Sequence, residues 1–480
     1  MPVIESPLPE KQGLDDCPAS WRSRPLVWRT PLVALLLFLC SSARHLLFHS
    51  TAFDLTHFDQ AVYLIGQPQP AIVSLTEYHF LGSHADWILY LLAPLYWLYP
   101  SVYWLFAVQA GALAIAALPL WQLARDAGLS LGLCRAVVWA YWLYPLVFNI
   151  NLFDFHPSVL AVPLLLAAVL AARRQQVGWF TVAVVLLLGC RAALSLTAIG
   201  LGFWLLVAER RRRCGAIALL LGSLWLVLAT QWIIPTFSTV GVEALGRYGF
   251  LGNSLPEIAL NLFLRPDLVL PHLLTAANLE YLALLLLPLV WGLSLRHLTP
   301  LLAAAPDLLL NLLADYPLQK DLLHQYSLPI LPFLLLAAIA SLAHRRFWWQ
   351  RPRWIVLWSL VGFLALAKPG YFWTRYLETL ETWSATRAAI AQVDTPGRLL
   401  TSAQIAPHLS HRPVVKLATM DAAAREDLTA FDYILLNQPH PGWNSTPELV
   451  TDLRDRLSQQ PEFRLRFDRD GVVLFVRADR

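Results

Sequence analysis

Long apolar runs, broken by short polar clusters, dominate the chain from about residue 31 to about residue 371. Stretches such as 161–172 and 216–229 hold no charged residue, whereas a helix of a soluble core keeps one charged face. Taking runs of about 17–25 residues as bilayer-crossing, the pattern predicts about eleven transmembrane helices. They fall near 31–48, 101–123, 133–150, 157–172, 177–189, 192–208, 214–235, 279–296, 299–315, 327–343 and 353–371. The 177–189 and 192–208 runs are short and are interrupted at Cys190-Arg191. The amphipathic stretch 87–99 reads as an interfacial or re-entrant element.

The loops give the threading a direction. Arg125 with Arg135, Arg173-Arg174, Arg210 to Arg213, Arg296, and Arg345-Arg346 with Arg351 and Arg353 all fall on one side, and short basic loops are retained in the cytoplasm. The opposite loops collect Asp54, Asp59, Glu77, His79, His84, Asp86, Asp154, His156, Glu243, Glu257, Asp267, Asp315, Asp321 and His324. Residues 1–30 then form a cytoplasmic leader to an uncleaved anchor helix, 31–372 the transmembrane domain, and 49–100 a large outer loop with an amphipathic stretch at 58–65.

After about residue 373 the chain turns polar, alternating short apolar strands with polar turns, as at Arg398-Leu399-Leu400-Thr401-Ser402 and Tyr433-Ile434-Leu435-Leu436-Asn437. Residues 463–467 and 472–476 around Asp470-Gly471 read as a hairpin. The prediction is an all-α polytopic membrane protein carrying a small extracytoplasmic α/β domain at 373–480, set in an inner or plasma membrane.

Composition agrees and excludes some classes. The chain is 57% hydrophobic and only 14% charged, with mean hydropathy +0.52. A net charge of +4 is too small to argue for nucleic acid, and no phosphate loop or nucleotide fingerprint is present. Five scattered cysteines show no zinc spacing. The expected partners are membrane lipids.

Chemistry must then come from the polar clusters at the outer ends of the spans. Asp54 is placed to act as a general base or to contact a divalent cation, with Asp59 five residues on; in the plainer reading either carboxylate caps a helix. Asp154 and His156 repeat the pattern ahead of Pro157, again open to a capping role. His79, His84, His324 and Tyr326 sit where rings favour the interface, and serve either as anchors or as contacts to a phosphate or sugar hydroxyl. Arg191 stands alone in an apolar stretch and needs an anionic partner, a carboxylate or a lipid phosphate, unless it snorkels to the headgroups.

Phe53-Asp54 with Phe58-Asp59-Gln60, His79-Phe80, Ala93-Pro94-Leu95-Tyr96, Leu152-Phe153-Asp154-Phe155-His156-Pro157, Ser402-Ala403-Gln404 and Pro407-His408-Leu409-Ser410-His411-Arg412 resemble the bacterial membrane family catalogued as domain of unknown function 2079. That family is similar in layout to the GT-C integral-membrane glycosyltransferases, which include protein O-mannosyltransferases and the aminoarabinose transferases of lipid A. The resemblance implies a polyprenyl-phosphate sugar donor, with Asp54 as the first-loop carboxylate and Asp154 as the second. It also exposes departures. The family's basic-Glu-Asp triplet ahead of a Gly-x-Gly helix is Arg191-Ala192-Ala193 before Gly200-Leu201-Gly202, and Ser158 replaces an acid after His-Pro.

The expectation is a GT-C-like glycosyltransferase moving a sugar from a lipid-phosphate donor to an extracytoplasmic acceptor. In this reading Asp54 and Asp154 are catalytic, and Asp59, His79, His84, His156, Arg191, His324 and Tyr326 contact substrate. The alternative is an inactive lipid-binding or scaffold relative. A transporter fits least, because no inverted repeat is visible.

Overall fold

The computed structural model describes residues 19–344, 350–420 and 426–478. The chain is 66% helical with a small C-terminal β-sheet domain. Every one of the predicted spans falls on helix, and among the described residues four helices, Leu26–Leu46, Tyr103–Asp126, Leu131–Leu152 and Arg212–Phe237, are long and apolar enough to cross a membrane alone. Others, including Pro157–Arg173, Val177–Leu188, Leu194–Val207, Leu301–Leu313, Leu331–Ala343 and Pro352–Leu366, reach about 18–26 Å at 1.5 Å per residue, short of the roughly 30 Å hydrocarbon core. Pro266–Leu273 and Ala276–Gly292 meet at 57°. The first helix starts at Ala19, inside the predicted leader, whose residues 1–18 lie outside the described residues.

The interruption at Cys190-Arg191 is where two helix ends meet another part of the chain. The Ile88 N–H donates to Gly189 O at 2.9 Å, and the Ala192 N–H donates to His84 O at 2.8 Å. A Cβ on Gly189 would lie 2.5 Å from the Trp87 ring, so only glycine admits the 87–91 turn here. Free backbone groups left by a broken helix are thereby satisfied, the condition for a break among apolar helices.

Leu194–Val207 packs against both Arg212–Leu228 and Leu301–Leu313. Its two glycines are contact points: a Cβ on Gly200 would stand 2.4 Å from Ala303 O, and one on Gly202 2.7 Å from Leu219 N. The Gly-x-Gly spacing is therefore a close-packing device between helices.

The 49–100 segment begins with a wide helical turn, Ala52–Thr56, that runs directly into the helix His57–Gly66. A hairpin follows, β1 (Ile72–Val73) with β2 (Tyr78–His79), and then turns at Leu81–His84 and Trp87–Leu91 and the helix Ala93–Leu98. Leu55, Phe58, Val62, Phe80, Leu89 and Tyr96 close over Phe106 and Phe155 of the helix bundle.

The C-terminal domain holds β3 (Leu399–Thr401), β4 (Val415–Leu417), β5 (Tyr433–Asn437), β6 (Phe463–Arg469) and β7 (Val472–Arg477), in the order β4-β3-β5-β7-β6. β3 is parallel to β4 and β5, while β7 is antiparallel to β5 and β6. The β6–β7 turn is Asp470-Gly471, both at positive φ (51° and 76°), as a two-residue type I′ hairpin requires. Strand alternation splits β5: Ile434 and Leu436 face Val450, Leu453 and Leu457 of the helix Pro447–Ser458. Tyr433 and Leu435 face Ala385 and Ala389 of the helix Leu380–Ile390, together with Ala52 of the 49–100 segment. One face of the sheet is thus completed by the membrane-domain chain.

The glycine contacts yield a test. Gly200→Val should destabilise the protein by about 1–3 kcal/mol through overpacking, read as a lowered Tm in detergent.

Candidate functional site

Asp54 projects from the wide turn, and its Oδ1 lies 3.0 Å from His156 Nε2, with the Asp54 side chain 30% exposed and that of His156 4% exposed. The His156 turn is built by Gln109, whose amide donates to the carbonyls of Ile150, Asn151 and Asp154 (3.3, 3.1 and 2.7 Å) while its oxygen accepts the His156 N–H. Pro157 opens the following helical turn at its first position, where a missing N–H costs nothing. Burial pushes the Asp54 carboxyl up, but the neighbouring His156, with His324 and His57, more than offsets it, and the pKa settles below the ordinary carboxylate value. His57 is buried beside it and pulled down to about 4, so it stays neutral near pH 7.

These groups line a cavity of about 440 Å³ together with His84, Asp86, Arg191, Glu243, Arg247 and Tyr326. A second cavity of about 210 Å³ shares His84, Ser158, Arg191, Glu243, Arg247 and Tyr326 with the first, and continues between Leu194, Leu226, Ile234, Leu255, Ile258 and Leu310. Its polar lining includes Asp307, Asn311, Gln319 and Gln325. The two arginines therefore stand where a polar chamber meets a more apolar one.

Both guanidiniums lie over the Tyr326 ring, Arg191 at 5.3 Å and Arg247 at 5.2 Å, and Arg247 also over Tyr316 at 4.3 Å. Arg247 donates to Gln319 at 3.0 Å. Among the described residues neither arginine has a carboxylate within 4.0 Å. The cation–π contacts orient the two charges without neutralising them. Burial, reinforced by the Arg191 charge, holds His84 well below its ordinary value. Asp86 is fully buried, and burial raises it to about 7 despite its own backbone N–H and the Arg191 charge.

Of the predicted site residues, Asp54, His84, His156, Arg191 and Tyr326 meet in this cavity. Asp154, expected as the second catalytic carboxylate, lies elsewhere. Its fully buried side chain pairs with Arg44 and accepts from Thr51 N–H at 2.9 Å and Thr51 Oγ1 at 2.8 Å. Those bonds hold the end of the first helix and the start of the Asp54 turn, and Asp154 lines neither cavity. Asp59 is likewise enclosed, accepting from Tyr96 and Ser410, with His411 Nε2 at 3.0 Å. The His79 ring packs beside Phe80 and Phe237, while its neighbour Tyr78 reaches the cavity. His324 pairs with Asp321 at 2.6 Å and meets Phe153 edge-on, acting on Asp54 only through its field. The divalent cation considered for Asp54 finds no group of three His, Cys, Asp or Glu ligands among the described residues.

Residues 44–474 match the profile of a family described as a predicted membrane protein, DUF2079. The chain belongs to the DUF2079 family. Its fold is shared with ArnT from Cupriavidus metallidurans bound to undecaprenyl phosphate, at 12% identity over 94% of this chain and 98% of that one, TM-score 0.53. The apo state of the same protein aligns over the same shares at 12% identity, with a TM-score of 0.45. No curated protein matches in sequence.

For this DUF2079 chain, sequence reasoning missed Arg247, His57, Asp86 and Glu243 as cavity residues. Arg247 had a usable signal, because an arginine on the acid-rich side runs against the charge sorting of the loops. The same signal marks Arg44, the unforeseen partner of Asp154. His57 lay inside the cluster around Asp54 and Asp86 among the outer-loop acids, but only the folded turn and the 81–91 insertion decide which side of the chain meets the cavity.

Removing one partner of the buried Arg44–Asp154 pair leaves an uncompensated charge, so Asp154→Ala should cost about 3–5 kcal/mol, and Arg44→Met with Asp154→Leu far less. Thermal unfolding of single and double variants checks this. The raised Asp86 pKa carries a sign as well. Between its ordinary value of 3.8 and about 7 the folded state holds a proton the unfolded chain has lost, so stability falls as pH climbs through that window. Asp86→Asn removes the loss, and its Tm should exceed that of the wild type more at pH 8 than at pH 4.

Proposed function

We propose that the protein is a GT-C-type transferase that moves a sugar from a polyprenyl-phosphate donor to an acceptor. The observation that carries this reading is the joint cavity: an ionised carboxylate, Asp54, faces the polar chamber, and two arginines without carboxylate partners stand at its junction with an apolar chamber. An anionic headgroup on a long apolar chain matches that order of surfaces. The ArnT likeness supports it by fold, and the lipid named in that structure has the same chemistry.

In this mechanism the acceptor hydroxyl gives its proton to Asp54 as its oxygen bonds to the sugar carbon, and the bond from that carbon to the phosphate oxygen breaks. The phosphate keeps the electron pair, and its growing charge falls beside Arg191 and Arg247. His156 fixes the carboxylate and favours its ionised form. Burial keeps His84 neutral, so Arg191 and Arg247 supply the positive charge beside the phosphate. The same reading sets the N-terminus in the cytoplasm, with the cavity and the 373–480 domain on the extracytoplasmic side of an inner or plasma membrane; labelling of single surface cysteines in intact cells tests that placement.

Ala192 and Ala193 line the second cavity and supply no carboxylate beside Arg191, which favours a second reading, a lipid-binding relative without turnover. Protein in nanodiscs given radiolabelled polyprenyl-phosphate sugars separates the two. Asp54→Asn should bind donor normally and lose about 10²–10⁴ in turnover, while Arg191→Gln should weaken donor binding. Specific binding without wild-type turnover would support the second reading. Because the Asp54 pKa is depressed, the base form persists through neutral pH, and activity should fall only as pH drops below the ordinary carboxylate range.

A further inference from the structure

Asp54 and Asp59 lie on one continuous helical segment, and five residues rotate a helix by about 140° beyond a full turn. One carboxylate therefore meets the cavity while the other points to the far side, where the C-terminal domain sits. Asp59 accepts hydrogen bonds there from Tyr96 and from Ser410, and His411 Nε2 lies 3.0 Å away. The adjoining contacts are equally specific. The Gln60 amide donates to Arg412 O at 2.8 Å, and its oxygen accepts from Ser74 N–H and Oγ. The single Ser74 hydroxyl proton is shared between that oxygen and Val415 O at 2.9 Å, and Ser74 Oγ accepts the Val415 N–H at 2.9 Å, at the start of β4. Arg412 braces its own loop through the carbonyls of Leu409 and Gly397. Ala406–His408 packs against Ala52–Thr56, with His408 stacked on His45 at 3.9 Å.

We propose that Asp59, held by Ser410, His411 and Tyr96, is a positioning residue through which the C-terminal domain sets the placement of Asp54 in the cavity. The domain is then a working part of the site and not an appended module. This inference rests on the transferase reading for its effect on rate. The clamp itself is a structural claim that can be measured without turnover.

A buried carboxylate served by donors from two separate segments has one low-energy orientation. Losing it frees the helix to rotate, and a displacement of about 1 Å at a catalytic group can cost about 100-fold in rate. The clamp also titrates. His411 faces Asp59, Tyr63, Tyr96 and Arg412. Burial lowers its pKa, but the Asp59 carboxylate more than compensates and leaves it above the ordinary histidine value. The protonated pair is thus complete below pH 6.5 and is lost as pH rises through the raised value.

The test uses full-length protein in nanodiscs, comparing wild type with Asp59→Asn and the milder Ser410→Ala. Hydrogen–deuterium exchange is read at residues 52–60 and, as a folding control, in β3 and β5. Both variants should exchange several-fold faster at 52–60 with β3 and β5 still protected, and Asp59→Asn should lose about 100-fold in kcat for a polyprenyl-phosphate sugar with KM little changed. His411→Gln should remove the alkaline decline in wild-type kcat. Unchanged exchange at 52–60 in Asp59→Asn would overturn the proposal whatever the activity. So would faster exchange with kcat retained, or loss of β3 and β5 protection in both variants. A wild type inactive on every donor overturns the transferase reading and the effect on rate with it, while exchange on the same samples reports separately whether the clamp holds Asp54.

Discussion

Backbone amides and carbonyls buried among apolar helices must find partners, and the break between Val177–Leu188 and Leu194–Val207 obeys that constraint in a way that shapes the rest of the molecule. Two of its backbone groups bond to the 81–91 turns, at a glycine too close to Trp87 for any side chain. Continuous helix would have pointed residue 191 along a packed helix face. The break turns it into a cavity, and the segment that satisfies the break supplies His84 and Asp86 to the same wall. Arg191, the insertion of the 49–100 segment and the cavity are consequences of one hydrogen-bonding problem.

Electrostatics inside the cavity follow from how completely each group is served. Arg191 and Arg247 have aromatic faces and an amide but no carboxylate partner among the described residues, so their charges remain available to an anion. Asp54 has one imidazole and keeps an oxygen free. Asp86 has no cation at contact distance among the described residues and holds its proton up to about pH 7. Water is partly excluded, so each of these charges acts over a longer range than it would at a surface.

Much of the architecture was legible in the residues because its signals are one-dimensional. Apolar run length located the long apolar helices but not Leu255–Leu264, Pro266–Leu273 or Pro447–Ser458, and the Asp-Gly turn with flanking alternation located the β6–β7 hairpin. The crossings themselves are less directly read: Gly189 and the tight turns between short helices interrupt apolar sequence without adding charge, so several of the runs fold as helices shorter than the hydrocarbon core. For the site, Arg191 and Asp54 were visible as ionisable groups out of place. Arg247 was legible only as a cation on the acid-rich side, and the docking of Ser410 and His411 onto Asp59 joins residues some 350 positions apart, a pairing no local pattern encodes.

Asp54 and Asp154 show why local pattern and chemistry part company. Each is an aspartate among phenylalanines at the end of an apolar run with histidine close by, and from sequence they are near equivalents. The difference is Arg44. A carboxylate has about four lone-pair positions, and the guanidinium of Arg44 with the amide and hydroxyl of Thr51 commits the Asp154 oxygens to the protein's own interior. Asp54 has only His156. Because Thr51 begins the turn that carries Asp54, the fully bonded aspartate anchors the partly bonded one. The two clusters are a single device, in which Asp154 gives up reactivity to fix the carboxylate that retains it.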